Sequence, residues 1–465
     1  MRGAVKAVLI ASAAFGAIAL GVIKAQAGGI TLRQSSYFQG LSWAGVAAGG
    51  TSVSAMFWNP ATITQAGLGL TAEAAGTIDS PRSDITPLLA TSPTGVDLTS
   101  RGSSGDLFDK ATLIPSFYAA YGLTNSLSFG LAVNSPFGLK TVPNPLWAGM
   151  FYSRESKVKD IDVTPTVAWK VNNWLSVGAG VQIDYLKVEL DSAFPGSGLT
   201  GPFPFLAPLG PDELSLGGRS WGVGYTAGVT ITPTSWTTIG VGYRSGIDQR
   251  LHGDIFRPSF VAPVVLPPLG LIPVGFPAAS VGFNATVPLP ASVTASVRQK
   301  ITDSFTLLGT VEWTEWSRLG TIPVVTSAVA PGIPTQLPFE WRNSWMVSGG
   351  AEYQWGPRLA LRAGVAWEES PITDQTRATR LPDAERVWVS AGATYKCSEQ
   401  LGLEVAYSHI FIKDAPINLS PGSGNPTFNP GLGTFIGTAS SEVDIVTVGL
   451  RYRFLPPRPP VIRKG

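Results

Sequence analysis

From about residue 112 onward, apolar and polar positions alternate with a period of two over stretches of some ten residues, the pattern of strands whose two faces meet different surroundings. Leu175, Val177, Ala179, Val181, Ile183 and Tyr185 alternate with Ser176, Gly178, Gly180, Gln182 and Asp184. Trp221, Val223, Tyr225, Ala227, Val229 and Ile231 alternate with Gly222, Gly224, Thr226, Gly228 and Thr230. Near the C-terminus, Val446, Val448, Leu450, Tyr452 and Phe454 alternate with Thr447, Gly449, Arg451 and Arg453. Alternation alone fits a soluble sandwich with its apolar face on a core as well as a membrane barrel with its apolar face in lipid. Three features select the barrel. Aromatic residues collect at strand ends (Trp174, Tyr185, Trp221, Trp236, Tyr243, Trp313, Trp345, Tyr353, Trp367 and Tyr395) as interfacial girdles require. Gly and Thr dominate the polar face, which suits a crowded lumen. Short turns near residues 124–125, 172–173, 233–234, 302–303, 356–357 and 398–399 alternate with long connections near 81–111, 138–156, 191–218, 250–285, 318–339, 371–384 and 413–440. The pattern predicts an all-β fold, a transmembrane antiparallel β-barrel of about 14 strands over residues 69–454, with both ends on the periplasmic side.

Residues 28–68 alternate poorly, are rich in Gly, Ala and Ser, and are too few for a domain. They are predicted to fold into the lumen as an N-terminal hatch, or plug. Ahead of them, Arg2 and Lys6 precede an apolar run over 7–23, and Ala25-Gln26-Ala27 offers small residues to a signal peptidase. Residues 1–27 therefore read as a signal peptide, an uncleaved anchor being the alternative for a run slightly long for a leader. Residues 455–465 form a Pro-rich basic tail. Charged residues make up only 14% of the chain, below the usual quarter for soluble proteins. A net charge of +2 predicts no affinity for nucleic acid, and the single Cys397, expected to face the wall, excludes an internal disulfide.

Catalytic patterns are missing. The two histidines, His252 and His409, sit in a long loop and at a strand end, and no Gly-x-Ser-x-Gly, HExxH or CxxC occurs. The run from Gly222 to Ala227 fits G-x-G-x-x-A but lies within an alternating strand with no helix after it. No enzyme, cofactor or metal is expected. The long connections carry Phe194, Phe203, Phe205, Phe256, Phe260, Leu266, Leu271 and Phe276, an apolar set read as capture loops for hydrophobic solutes, or else as loops packed on one another in a cap. Arg298, Arg362 and Arg451, with Glu312, Glu352, Lys396, Glu404 and Arg453, occupy the polar phase of their strands and are expected to pair with each other in the lumen. Asp383 and Arg386 are expected to brace a loop. Gly130 and Pro136 predict that pairing lapses near the end of the third strand, although Pro136 equally well begins the next loop.

The segment from Gly29 to Ser36 and the run Asn59-Pro60-Ala61 resemble the hatch and NPA signature of the FadL family of outer-membrane transporters for long-chain fatty acids and aromatic hydrocarbons. Pro115 to Tyr121, Ser128-Phe129-Gly130 and Pro136-Phe137-Gly138 resemble its second and third strands. Trp313-Thr314-Glu315-Trp316-Ser317, Ser370-Pro371, Leu381 to Arg386 and Tyr407 to Phe411 are similar to later parts of its barrel. Many members carry acidic residues shortly before the NPA, where this chain has Thr51, Ser52 and Ser54. The resemblance implies passive uptake of hydrophobic small molecules across the outer membrane. Asn59, Pro60 and Ala61 would belong to the gate. Gly130, Pro136, Phe137 and Gly138 would form a lateral exit in an inwardly kinked third strand, with Asn59-Pro60-Ala61 set to meet it. Expected partners are the apolar substrate, outer-membrane lipid and lipopolysaccharide, and the barrel-assembly machinery, for a monomeric protein. A porin for polar solutes and a surface-receptor barrel are the alternatives.

Overall fold

A computed structural model describes residues 30–108, 111–195, 213–266, 270–328 and 332–454, excluding the side chains of 261–266 and 270–273. The signal peptide, Phe203, Phe205, the side chains of Leu266 and Leu271, and the tail after Phe454 lie outside the described residues.

Fourteen antiparallel strands close into a barrel. They are β1 (Gly69–Thr91), β2 (Thr112–Gly122), β3 (Leu127–Asn134), β4 (Glu155–Lys170), β5 (Leu175–Ala193), β6 (Glu213–Thr234), β7 (Thr237–Arg244, continued by Ile247–Arg257) and β8 (Ala279–Leu289, continued by Ser292–Lys300). After these come β9 (Phe305–Thr314), β10 (Ser344–Trp355), β11 (Leu359–Glu368), β12 (Arg386–Lys396), β13 (Leu401–Ile412) and β14 (Thr434–Phe454). The seam between β1 and β14 runs from Leu70 opposite Phe454 to Thr91 opposite Thr434. The six short turns fall where the sequence places them, and both barrel ends lie at that rim. The outward face is aliphatic in mid-wall, with Val181, Ile183, Val223, Val347 and Val405 exposed. Aromatic residues lie outward towards both rims, Trp169, Trp174 and Trp355 near the short turns and Trp221, Trp345 and Trp367 near the long connections. Among the described residues no helix is long and apolar enough to cross a membrane, which leaves the strands to do so.

Several expectations need correction. Residues 81–91 and 434–440 continue the seam strands as a paired ribbon rather than loops. Residues 250–285 are almost wholly strand: Ile247–Arg257, a hairpin of Phe260–Leu266 and Gly270–Phe276, then Ala279–Leu289. The cause is an inversion of polarity along the strands. Below Tyr185 the apolar side chains of β5 point outward; above it Leu186 and Val188 are buried inside while Lys187 and Glu189 face out. β6 and β7 invert similarly, with Leu216, Leu251 and Ile255 inside. Above the membrane the outer face meets water, so the apolar phase moves inward. Cys397 sits exposed in the turn between β12 and β13, past the last residue of the wall strand.

Candidate functional site

Residues 30–68 fill the lumen at the short-turn end. Ser35 caps a single helical turn, Ser36–Gln39, by accepting from the Phe38 amide at 3.1 Å. Tyr37, Phe38, Leu41, Trp43, Met56 and Trp58 make an apolar core against the inner wall. Asn59 is fully buried: its Oδ1 accepts from the Ala61 amide at 3.0 Å, and its amide donates to Ala47 O at 2.7 Å and to Val229 O of β6 at 2.9 Å. Pro60 then begins a 3-10 turn, where its missing N–H costs nothing. The wall accepts this segment because it is bare there. A Cβ on Gly178 would lie 2.6 Å from Ala61 N, one on Gly228 would strike Asn59 Oδ1, and ones on Gly240 and Gly242 would strike the carbonyls of Ala47 and Trp58. The hydrogen bond from Asn59 to the wall and the close approaches of Asn59-Pro60-Ala61 are thus to β5, β6 and β7; Met56 and Ile63 are the hatch residues set against Gly130 of the third strand. The residue types explain this, since an Asn-Pro turn fits a glycine-lined groove and Gly130 leaves a hollow for apolar tips. Ser52 and Ser54, where the resembled family is often acidic, surround Glu73 of β1: Ser52 Oγ donates at 2.6 Å, and the amides of Val53 and Ser54 donate at 3.1 and 3.3 Å.

β3 leaves the wall where Pro136 stands. Its pairing with β2 ends at Phe117 opposite Val133, so residues 112–116 of β2 have a neighbour only on the β1 side. On the other side β3 stays paired with β4 to Asn134, breaks at residues 135–137, and resumes as Gly138–Thr141. Asp160 Oδ2 accepts from the Phe137 amide at 3.0 Å within the break. A gap remains between β2 and residues 138–141, bounded above by Val142 N–H donating to Leu107 O at 2.8 Å. The start of the hatch lies behind it. Leu32 N–H donates to Pro136 O at 2.7 Å, Gly138 N–H donates to Ile30 O at 2.8 Å, and Leu32 packs on Ile114 of β2. Pro136 stands within the lapse in pairing, and strand structure resumes at Gly138 before the long connection begins.

Above the hatch lies a chamber of about 610 Å³, within the range of small-molecule sites. Its walls are the inward apolar positions of β4–β8 (Val158, Leu186, Val188, Leu216, Leu251, Phe283), roofed by Leu319, Leu337, Trp341, Ile372 and Leu381 from the long connections. Arg380 is the one Lys, Arg, Asp or Glu among its described lining residues. Its Nη1 donates to Glu155 O, Ser156 Oγ and Asp191 O at 3.0–3.1 Å. No described carboxylate oxygen comes within 4.0 Å of the guanidinium, although Asp191 acts on it electrostatically. Burial pulls its pKa down to about 10, so it remains charged at neutral pH. A smaller cavity lined by Thr31, Phe57, Pro136, Phe137 and Arg244 lies between hatch and kink.

Of the expected capture residues, the four whose side chains are described, Phe194, Phe256, Phe260 and Phe276, do not line the chamber. Phe194 stacks edge-on against Phe260, and Phe260 lies flat on Phe276 at 4.7 Å, so these rings pack together in a ribbon while Phe256 faces outward. Phe194, Phe260 and Phe276 thus pack on one another, as in the cap considered beside the capture reading. Six of the eight expected lumen charges, Arg298, Glu352, Arg362, Glu312, Arg451 and Glu404, lie in ion pairs. Lys396 and Arg453 stand exposed near the short-turn rim with no ion pair among the described residues. The hatch is part of the pairing. Arg298 donates to Glu352 at 2.8 Å and to Tyr37 Oη at 3.1 Å, Arg362 lies over the Tyr37 ring at 4.2 Å, and Arg451 donates to Thr51 O at 2.8 Å. Asp383 and Arg386 form a buried ion pair that braces the loop beside Ser370. Two residues escaped the sequence reading as site residues: Arg33, which bridges Glu312 and Glu368 at 2.8 Å each, and Arg380. The usable signal was the inverted phase of Leu186, Val188 and Leu190, which marks an apolar interior above the girdle.

Known proteins share this architecture. The chain is 24% identical over 336 residues to a long-chain fatty acid transport protein of Salmonella typhi, covering 70% of this chain and 76% of that one. It is 25% identical over 342 residues to outer membrane protein P1 of Haemophilus influenzae, covering 69% and 71%. The crystal structure of a Pseudomonas aeruginosa FadL homologue superposes with a TM-score of 0.78 at 21% identity, over 92% of this chain and all of that chain. The Pseudomonas putida toluene transporter TodX superposes at 0.63 and 15% identity, over 92% and 99%. A family model described as outer membrane protein transport protein (OMPP1/FadL/TodX) matches residues 18–454. The protein is a bacterial outer-membrane β-barrel, and it belongs to the OMPP1/FadL/TodX family of outer membrane transport proteins.

Proposed function

We propose that this barrel carries hydrophobic small molecules passively across the outer membrane, with no catalytic step. The observation that carries the reading is the apolar chamber with a single guanidinium on its wall. Such a chamber is poor for sugars, whose hydroxyls would lose water without partners, and good for alkyl or aryl groups. Arg380, whose hydrogen-bond acceptors among the described residues are all neutral, is suited to a substrate carboxylate. The acid end of a long-chain fatty acid would sit there with its chain along Leu186, Val188 and Leu216. A neutral hydrocarbon would use the same chamber without the anchor.

The route down supports lateral release. Residues 28–68 serve as the hatch, after removal of residues 1–27 as signal peptide. The gap at Gly130, Pro136, Phe137 and Gly138 is the exit, and residues 30–34, standing behind it, are the part whose movement opens it. Asn59, Pro60 and Ala61 anchor the hatch to β5–β7 and act as its pivot. Apolar cargo entering the bilayer sideways avoids periplasmic water. The protein works as a monomer whose surroundings are outer-membrane lipid and lipopolysaccharide, after insertion by the barrel-assembly machinery.

The test is uptake of labelled oleate and toluene by cells expressing the protein or its Val188→Asp/Leu216→Asp variant, with maltose permeation as control. Loss of apolar uptake with maltose unchanged is expected. Normal uptake by the variant would sink the reading, and a matching loss of maltose would favour the porin.

A further inference from the structure

The outer wall carries a row of cations at one height on one side. Lys159 of β4 lies opposite Lys187 of β5, Lys187 opposite Arg219 of β6, and Arg219 opposite His252 of β7. All four face outward at least in part. Two strand spacings separate Lys159 from Arg219, about 10 Å. Cations placed directly opposite one another repel, and a wall has no structural reason to align three of them. Compensation is partial: Lys187 pairs with Glu189 at 2.5 Å, whereas Lys159 and Arg219 have no carboxylate oxygen within 4.0 Å among the described residues. Two residues before His252 on the same face, Arg250 is also exposed and, among the described residues, without an ion pair, with exposed Asp248 and Asp254 flanking the two.

The height is informative. Tyr185 and Trp221, with ring centroids 5.0 Å apart, stand one outward position below Lys187 and Arg219, a drop of about 7 Å. Below them lie Val181, Ile183 and Val223. From bottom to top this face therefore offers alkyl surface, an aromatic belt, then a line of cations, the order in which an amphiphile presents acyl chains, glycosidic ring and anionic group. The opposite wall differs. At comparable height it shows Glu369, Glu385, Glu442 and Asp444, with Arg342 and Arg82 tied to Glu369 and Glu442 and Lys413 standing alone rather than in a row.

We propose that Lys159, Lys187 and Arg219 form a binding site for the phosphate groups of the outer-leaflet glycolipid, lipopolysaccharide, whose acyl chains lie on the wall below. Phosphate neutralises the row and takes charge-assisted hydrogen bonds from all three side chains. The inference rests on the orientation taken above, long connections outward, and names one face of the barrel for the lipid.

The full-length protein, purified in detergent and checked for a folded barrel by its heat-dependent gel mobility, is titrated with bisphosphorylated lipid A and with lipid A stripped of both phosphates. Lys159→Gln/Lys187→Gln/Arg219→Gln is expected to bind bisphosphorylated lipid A at least about tenfold more weakly than the parent. Arg82→Gln/Lys413→Gln, on the opposite wall, is expected to bind it like the parent, and the stripped lipid is expected to bind the parent no better than the phosphorylated lipid binds the triple variant. Should the triple variant fail to fold, Lys159→Arg/Lys187→Arg, which keeps the charge, is compared with Lys187→Gln alone: full binding by the first and weakened binding by the second are expected. Equal binding by charge-keeping and charge-removing variants, or equal binding of the two lipids, overturns the proposal. Uptake is no part of the readout, so the result stands apart from the transport reading.

Discussion

Gln34 and Ser135 exchange two hydrogen bonds, the glutamine amide donating to Ser135 O at 2.6 Å and its Oε1 accepting from Ser135 N–H at 3.0 Å. The hatch side chain thereby takes the place of the strand that the kink has lost, and both groups are buried. Gln34→Ala leaves a buried N–H and C=O without partners, a cost of about 1–3 kcal/mol each. We expect amide exchange around Ser135 to accelerate at least about tenfold by mass spectrometry while β9 and β10 stay protected. Unchanged protection would show that hatch and kink are not coupled through this pair.

Bare positions on β7 define how closely the hatch approaches. Gly240→Ala/Gly242→Ala drives two methyl groups into the carbonyls of Ala47 and Trp58, and overpacking of this kind costs about 1–3 kcal/mol per site. The expected outcome is a lower Tm and raised single-channel conductance as the hatch shifts. Gly349→Ala, on the open outer face of β10, should leave both values at the parent level.

Arg33 compensates two wall carboxylates at once, Glu312 and Glu368. Removing it as Arg33→Met leaves buried charge behind, a loss of about 3–5 kcal/mol. Arg82→Met breaks only an exposed pair, where about 0–1 kcal/mol is at stake. Guanidinium chloride unfolding of the two variants should separate them clearly, and equal midpoints would contradict the assignment.

Much of this design can be read before any coordinates. Period-two alternation locates the turns, and Gly and Pro placement locates the weakness at Gly130 and Pro136. The resemblance at Asn59-Pro60-Ala61 picks out the hatch. What stays hidden depends on partners brought in from far along the chain. Arg380 acquires its setting from Glu155, Ser156 and Asp191, and nothing near residue 380 announces that. Phe194, Phe260 and Phe276 were hard to read for the opposite reason. Local hydrophobicity says that Phe260 and Phe276 need a partner, but not that they are partners for each other.

Arg380→Leu should weaken oleate binding at least about tenfold while leaving toluene binding near the parent value. Because burial lowers its pKa to about 10, the charge is present below that pH and lost above it. Oleate affinity should therefore hold steady from pH 7 to 9 and fall as pH passes 10. Affinity that follows pH equally in parent and Arg380→Leu would assign the dependence elsewhere.

The seam between β1 and β14 bears on the order of assembly. Glu73 on β1 is satisfied by Ser52, and β14 offers the Ile445 carbonyl and Thr447 hydroxyl to Gln39, while Ser36 reaches Glu404 on neighbouring β13 at 2.7 Å. A barrel zipped shut around an empty lumen would leave all of these facing water. One that closes on the folded segment finds each donor and acceptor already matched. Ser36, Gln39 and Ser52 thus bind one lumen segment to both sides of the seam, so the closure of the tube and the seating of the hatch are parts of a single hydrogen-bonded unit.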